Sequence, residues 1–224
     1  MNARAWPLAT LILGLATLGF FVALGSQRAV TAIYDRTEVS AAVSLFQRAE
    51  TTADLVQVFG APVDERVVAA QDAINGLDLW GFIPAYGLFL AAAAIMLGGL
   101  KNRWTQAAIL FALIGAAADA VETWKQLQVT ADIENAQAHL PIAPWHWLKY
   151  LALALNAVAV ASIALTGEKR RIILAVIALL PLPLVVASYA DLLSTRIFAG
   201  AFGLYWVTLL VLAGVELFRK RAPA

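Results

Sequence analysis

The chain contains no cysteine in its 224 residues. Disulfides, thiolate metal sites, iron–sulfur ligation and cysteine nucleophiles are thereby excluded. Charge is scarce as well. Asp, Glu, Lys and Arg make up 14% of the sequence, and there are only two histidines. A soluble domain carries about 25% charged residues. No phosphate loop, zincin motif or Gly-x-Ser-x-Gly elbow occurs, so the usual local signatures of nucleotide, zinc-protease and serine-hydrolase chemistry are missing. No cofactor, no metal and no nucleic-acid partner is expected.

Apolar residues fill the space left by charge. They make up 62% of the chain, and the mean hydropathy is +0.77. Six runs are long enough to cross a hydrocarbon core that needs about 20 helical residues. They lie near 6–25, 79–100, 105–124, 146–166, 171–189 and 197–218. The runs are continuously apolar, whereas barrel strands alternate over about 10 residues. The expected fold is all-α: a polytopic membrane bundle of six transmembrane helices. Its parts read as an N-terminal anchor helix (1–25), an acidic helical loop (26–78), a five-helix bundle (79–218) and a basic tail (219–224). The first run ends Ala23-Leu24-Gly25. It exceeds the roughly 7–15 apolar residues of a signal peptide, which favours an uncleaved anchor.

The basic residues fix an orientation. Arg4, Lys101, Arg103, Lys169, Arg170, Arg171, Arg219, Lys220 and Arg221 fall on one side, in short loops and tails. Arg28, Arg36, Arg48, Arg66, Lys125 and Arg196 are spread over longer loops on the other. The positive-inside rule then places both termini in the cytoplasm of a bacterial inner membrane, with the acidic loop outside. In that loop "EVSAAVSLFQRAETTADLVQVFG" reads as one amphipathic helix. "APVDERVVAAQDAINGLD" reads as a second, closed by Asn75-Gly76. Together they read as a cap on the outer face, a candidate surface for a periplasmic partner, or alternatively as helices lying on the bilayer surface.

"IGAAADAVETW" interrupts the third run with Asp119 and Glu122, which share a helical face extended by Gly115 and Gln126. If that helix ends near residue 124, Asp119 lies about 7 Å inside it. The next helix begins "PWHWLKYLALALN", with His146 at the rim, Lys149 about one turn in and Asn156 deeper. The second helix begins "LDLWGFIPAYG". Asp78 is a candidate N-cap there, and Tyr86 lies about 10 Å in. Asp119, Glu122, Lys149, Tyr86, Asp78 and His146 therefore converge on one level of the outer leaflet. Intramembrane ionisable groups face the bundle interior and pair with one another. The histidines, His139 and His146, do not sit at matching depth on different spans, so they offer no bis-histidine haem site. Pro181 and Pro183 should kink the fifth helix. Glu216 reads as an interfacial partner of Arg219 and Lys220.

Residues 78 to 150 also resemble a loose group of uncharacterised bacterial multispanning inner-membrane proteins. The likeness rests on Asp78 ahead of "FIPAYG", on "DAVET" with its Asp-x-x-Glu, and on "WLKY" with its Lys-aromatic pair. Thr123 stands where the group commonly has Asn. The resemblance implies that these elements belong together, and it implies no activity.

Three readings remain open. The cluster binds or transports a small or lipidic ligand, with the carboxylates taking up a cation or proton. Alternatively, it is an intramembrane enzyme site on an outer-leaflet lipid, with a carboxylate as acid/base. Or the chain is a structural or assembly subunit whose acidic cap binds a periplasmic partner; on every reading the spans contact membrane lipid. Orientation can be checked directly. A reporter fused after Ala224 should be cytoplasmic and one inserted at Gly60 periplasmic; the reverse pattern would turn the cluster toward the cytoplasm.

Overall fold

The computed structural model describes residues 4–35, 38–167 and 170–219. Arg36, Lys169, Lys220 and Arg221, and the rest of the basic tail beyond Arg219, lie outside the described residues. Among the described residues every regular element is a helix: α1 (Ala5–Ser26), α2 (Arg28–Thr31), α3 (Val39–Gln47), α4 (Thr52–Phe59), α5 (Glu65–Leu77), α6 (Ile83–Gly98), α7 (Arg103–Ala131), α8 (Ala143–Thr166), α9 (Ile172–Leu179), α10 (Pro181–Tyr189) and α11 (Thr195–Phe218). A π-helical turn (Asp78–Phe82) joins α5 to α6, and a 3₁₀ segment (Ile133–His139) precedes α8. Six helical stretches are long and apolar enough to cross a membrane: Ala5–Ser26, Glu65–Gly98, Arg103–Ala131, Ala143–Thr166, Ile172–Tyr189 and Thr195–Phe218. The fold is an all-α polytopic helical bundle.

Several boundaries differ from the sequence expectation. Asn75-Gly76 does not stop a helix. The chain stays helical from Glu65 through the π turn to Gly98, a single stretch of 34 residues. Asp78 is therefore an internal residue with αR backbone angles (φ −62°, ψ −55°), not an N-cap. The cap of this long helix is Asp64, which accepts from Arg66 N at 2.9 Å. The Arg66 guanidinium also hydrogen-bonds this carboxylate, at 2.6 Å. That side-chain bond, with the backbone one, pulls the Asp64 carboxyl down to about 2. The single amphipathic helix expected over 38–60 is broken at Ala49–Thr51. There Thr51 and Asp54 form a reciprocal capping box that restarts the chain as α4. Helix α7 runs seven residues past Trp124, to Ala131. The break in the fifth span falls at Leu180, where Pro181 opens α10.

The chain divides into two compact units. One comprises Met1–Thr17, Ala85–Gly115 and Leu151–Ala224, the other Leu18–Pro84 and Ala116–Tyr150. In the first, α1 presents Pro7, Thr10, Gly14 and Thr17 as its buried face. A Cβ at Gly14 would come within 2.8 Å of the Phe89 and Leu210 side chains, so the close helix approach here requires glycine. Asn156 donates to Ala108 O at 2.8 Å and accepts from the Tyr205 hydroxyl at 3.0 Å, which ties α7, α8 and α11 together. Glu216 pairs with Arg171 at 2.7 Å; Arg219 stands farther off, at 3.9 Å. The expected partner was therefore the weaker one. The tie between α9 and α11 is the stronger because both Arg171 and Glu216 are partly buried.

In the second unit the loop helices make a core of their own. Phe46, Ala49, Leu55 and Phe59 pack with Val129 of α7, Ala136 of the 3₁₀ segment and Ile142. The Phe46 and Phe59 rings meet edge to face at 5.0 Å. Ala49 O accepts from Ile142 N at 2.9 Å, and Gln27 Nε2 donates to Ala73 O at 2.9 Å. Truncating a buried Phe costs about 3–5 kcal/mol. Phe46→Ala should therefore raise amide exchange across α3 and α4 in lipid nanodiscs and leave α9 to α11 unchanged. Unaltered exchange in α3 and α4 would show that this core does not hold the loop.

Candidate functional site

Every residue of the site described next belongs to the second unit. Helix α7 brings Asp119, Glu122, Thr123 and Gln126 onto one face, at three- and four-residue steps. Helix α8 begins at Ala143 and so places His146 and Lys149, also three apart, on one of its faces. Lys149 Nζ donates to Asp119 Oδ1 at 2.8 Å and lies 2.8 Å from Glu122 Oε2. The ammonium thus bridges both carboxylates of α7. The other Glu122 oxygen, Oε1, lies 3.5 Å from His146 Nδ1. That is ion-pair range, longer than a well-formed hydrogen bond. The result is a linear chain: Asp119, Lys149, Glu122, His146. All four are buried, Glu122 completely.

Asp78 approaches from the π turn. Its Oδ2 accepts from the Thr123 hydroxyl at 3.2 Å. It lies within electrostatic reach of Asp119, Lys149 and Glu122. The π turn has a physical consequence here. Its wider i→i+5 spacing rotates the chain between α5 and α6, and such turns are frequent at functional sites. The imidazole of His146 is held edge-on by Trp147 and Tyr150, with centroids 5.0 and 4.9 Å away. Its Nε2 is buried and has no hydrogen-bond partner among the described residues. Exposed Arg48, from the loop after α3, lies within electrostatic reach of the same ring. Trp80 and Trp124 are turned outward, 82% and 53% exposed, as interfacial tryptophans are.

Five of the six residues expected from sequence lie in this unit. Tyr86 belongs to the first unit, where its hydroxyl donates to Gly115 O at 3.5 Å and its ring stacks on Trp206 at 5.3 Å. His146 was expected at a rim, yet it is only 1% exposed, because the loop helices cover the start of α8. Asp119 is twelve residues, about 18 Å, from the end of α7 rather than about 7 Å, because the helix continues to Ala131. Sequence reasoning missed Asn75 as a buried site neighbour. The signal was its three-residue spacing from Asp78, masked by the Asn-Gly pair. Among the described residues no group of three or more His, Asp or Glu side chains is placed to hold a metal ion. The chain matches no protein-family model, no curated protein and no solved structure.

The charge count is uneven. Three carboxylates, Asp78, Asp119 and Glu122, face one ammonium, so the ionised cluster with a neutral imidazole would carry a net charge of −2. Neutrality requires two protons, shared among His146 and the carboxylates, or the same two charges supplied in whole or part by a bound cation. Burying uncompensated charge is costly. Lys149→Met should therefore destabilise the protein by about 3–5 kcal/mol, and adding Asp119→Leu and Glu122→Leu should recover most of that loss. Thermal unfolding in detergent checks both. A single variant as stable as wild type would mean that the bridge contributes nothing.

Proposed function

We propose that the protein is a multi-pass protein of a bacterial inner membrane, with both termini cytoplasmic and the cluster near the outer face. There it binds a small polar or amphiphilic ligand in exchange for protons. The observation that carries this reading is the Asp119–Lys149–Glu122–His146 chain. It ends in a buried imidazole nitrogen without a partner. Buried polar atoms are nearly always satisfied, and an exception needs an explanation. A ligand donor or acceptor at Nε2 supplies one. Protonation of the cluster supplies the driving term, because any cation or proton gained must be balanced by one lost. A deep aqueous path is not part of the proposal. The buried amide of the first unit, Asn156, is committed to Ala108 and Tyr205.

A second reading is favoured by one feature. Glu122 faces Nδ1 and leaves Nε2 free, which is how an acid/base histidine is oriented in hydrolytic and transfer enzymes. On that reading the ligand leaves chemically changed.

The test is mass spectrometry of what co-purifies with the protein in mild detergent. One lipid or small molecule should be enriched over the bulk membrane extract. It should be reduced at least tenfold in His146→Ala and in the Lys149→Met/Asp119→Leu/Glu122→Leu variant, each checked for folding by thermal unfolding. The same molecular complement in wild type and both folded variants would leave the cluster as a structural ion network. Turnover of the retained molecule on incubation would select the enzyme reading.

A further inference from the structure

Three buried amides of the second unit, Gln71, Asn75 and Gln126, take no part in the ion chain, and two of them flank one seam between α5 and α7. Asn75 Nδ2 and Gln126 Nε2 belong to residues only 3% and 2% exposed. Neither nitrogen has a hydrogen-bond partner among the described residues. An amide nitrogen left dry and unpaired in an interior is strongly disfavoured.

Their level is set by the bonds on either side. Thr130 of α7 donates to Asp72 of α5, and Thr123 of α7 donates to Asp78 at the end of that helix. These two bonds make α5 and the loop-side part of α7 antiparallel neighbours. Asn75 lies three residues from both Asp72 and Asp78. Gln126 lies three from Thr123 and four from Thr130. Steps of three and four keep each set on one helical face. Both orphan amides therefore sit in one seam, midway between two side-chain bonds. From Asp119 to Thr130 that polar face of α7 extends about 16 Å. Its far end is half-buried Asp72, and its near end is the cluster.

Each primary amide carries two N–H donors, so four donors meet in the seam. A reciprocal amide–amide pair satisfies at most two of them. Water satisfies all four, since a buried water takes about three hydrogen bonds from such groups. We propose that Asn75 and Gln126 hold a short file of ordered water between α5 and α7, and that this file connects solvent at Asp72 with Asp78.

The groups facing that file are identifiable from every element around it. Helix α5 and the π turn contribute Asp72 and Asp78. Helix α7 contributes Asp119 and Glu122, and α8 contributes His146, Lys149 and Tyr150. Exposed Arg48 lies within electrostatic reach of the imidazole, and Asp119, Lys149, Glu122 and Tyr150 lie within reach of one another. A proton relayed along the file breaks one O–H bond and forms another at each step. One proton accepted beside Asp72 releases one to Asp78, and no co-reactant is consumed. The use of such a relay rests on the proton exchange proposed above, whereas the presence of the water does not.

Water-edited solid-state NMR of the labelled full chain in lipid bilayers tests this without any variant. The side-chain amide signals of Asn75 and Gln126 should gain water magnetisation nearly as fast as exposed Gln137. The Asn156 amide, bonded to Ala108 O, should lag at least fivefold. Build-up at Asn75 and Gln126 as slow as at Asn156 would mean a dry seam and overturn the proposal. In the Asn75→Leu/Gln126→Leu protein, transfer to the Asp78 carboxyl carbon should fall at least fivefold, with Gln137 unchanged. Undiminished transfer would show that water reaches Asp78 by another route and would overturn the connection. Ligand retention plays no part in these readouts. A wet seam in a protein that retains no ligand leaves this inference standing and the binding reading fallen, and a dry seam in a ligand-retaining protein does the opposite.

Discussion

The Lys149 ammonium, held between two carboxylates of one helix, is the contact on which the second unit depends. Asp119 and Glu122 are three residues apart on α7 and accept one buried cation from α8. Two fixed acceptors on one face and one donor opposite define both the rotation and the axial register of the two helices. A purely apolar contact would tolerate a one-turn slip. An ion bridge would not, because a slip strands a buried charge without its partner. The register in turn brings Thr123 to Asp78 and sets His146 against Glu122.

The loop helices make that burial possible. Without them the start of α8 would face solvent, and His146 would be the rim histidine its neighbours Trp145 and Trp147 imply. Their small core, centred on Phe46 and Phe59, roofs this end of the unit. Ala49 O also accepts from Ile142 N, just ahead of α8. Local chemistry makes the roof possible. The Thr51–Asp54 capping box breaks what would be one long helix into two that fold back on each other. The backbone donors of Glu50 and Thr51 hold the Asp54 carboxyl below its usual range, so this corner keeps its charge at any ordinary pH.

The membrane spans were legible because a long apolar run has one explanation, and the carboxylates were legible because they break such a run. The continuity of α5 into α6 was not. Asn75-Gly76 is a stop signal in water, where asparagine competes for backbone groups. Here the Asn75 side chain is buried in a polar seam, and helix α7 supplies the surface against which the turn is kept. The length of α7 was hidden for the same reason. Lys125, Gln126, Gln128 and Thr130 look like the polar end of a helix. Yet Gln126 and Thr130 face α5, and Lys125 donates to His139 O. Glu216 was assigned to its sequence neighbour Arg219, because a pairing with Arg171, 45 residues away, leaves no local trace.

Asn156 and the ion chain differ in how their buried polar groups are paired, and that difference supports the proposed function. Asn156 in the first unit has its donor on a backbone carbonyl and its acceptor on a tyrosine hydroxyl, at 2.8 and 3.0 Å. A polar group kept only for helix register looks like this, with a partner for its nitrogen and another for its oxygen. The second unit has more carboxylates than cations, a long 3.5 Å contact between Glu122 and His146, an imidazole nitrogen with nothing to bond, and two orphan amides along the approach to Asp78. A network selected for stability alone would gain from closing each of these gaps, since each open one costs about 1–3 kcal/mol. Protons, water and a ligand are the species that fill such gaps and then leave. On the proposed reading, the cost of holding them open is what a site of exchange requires and what a structural ion pair has no reason to bear.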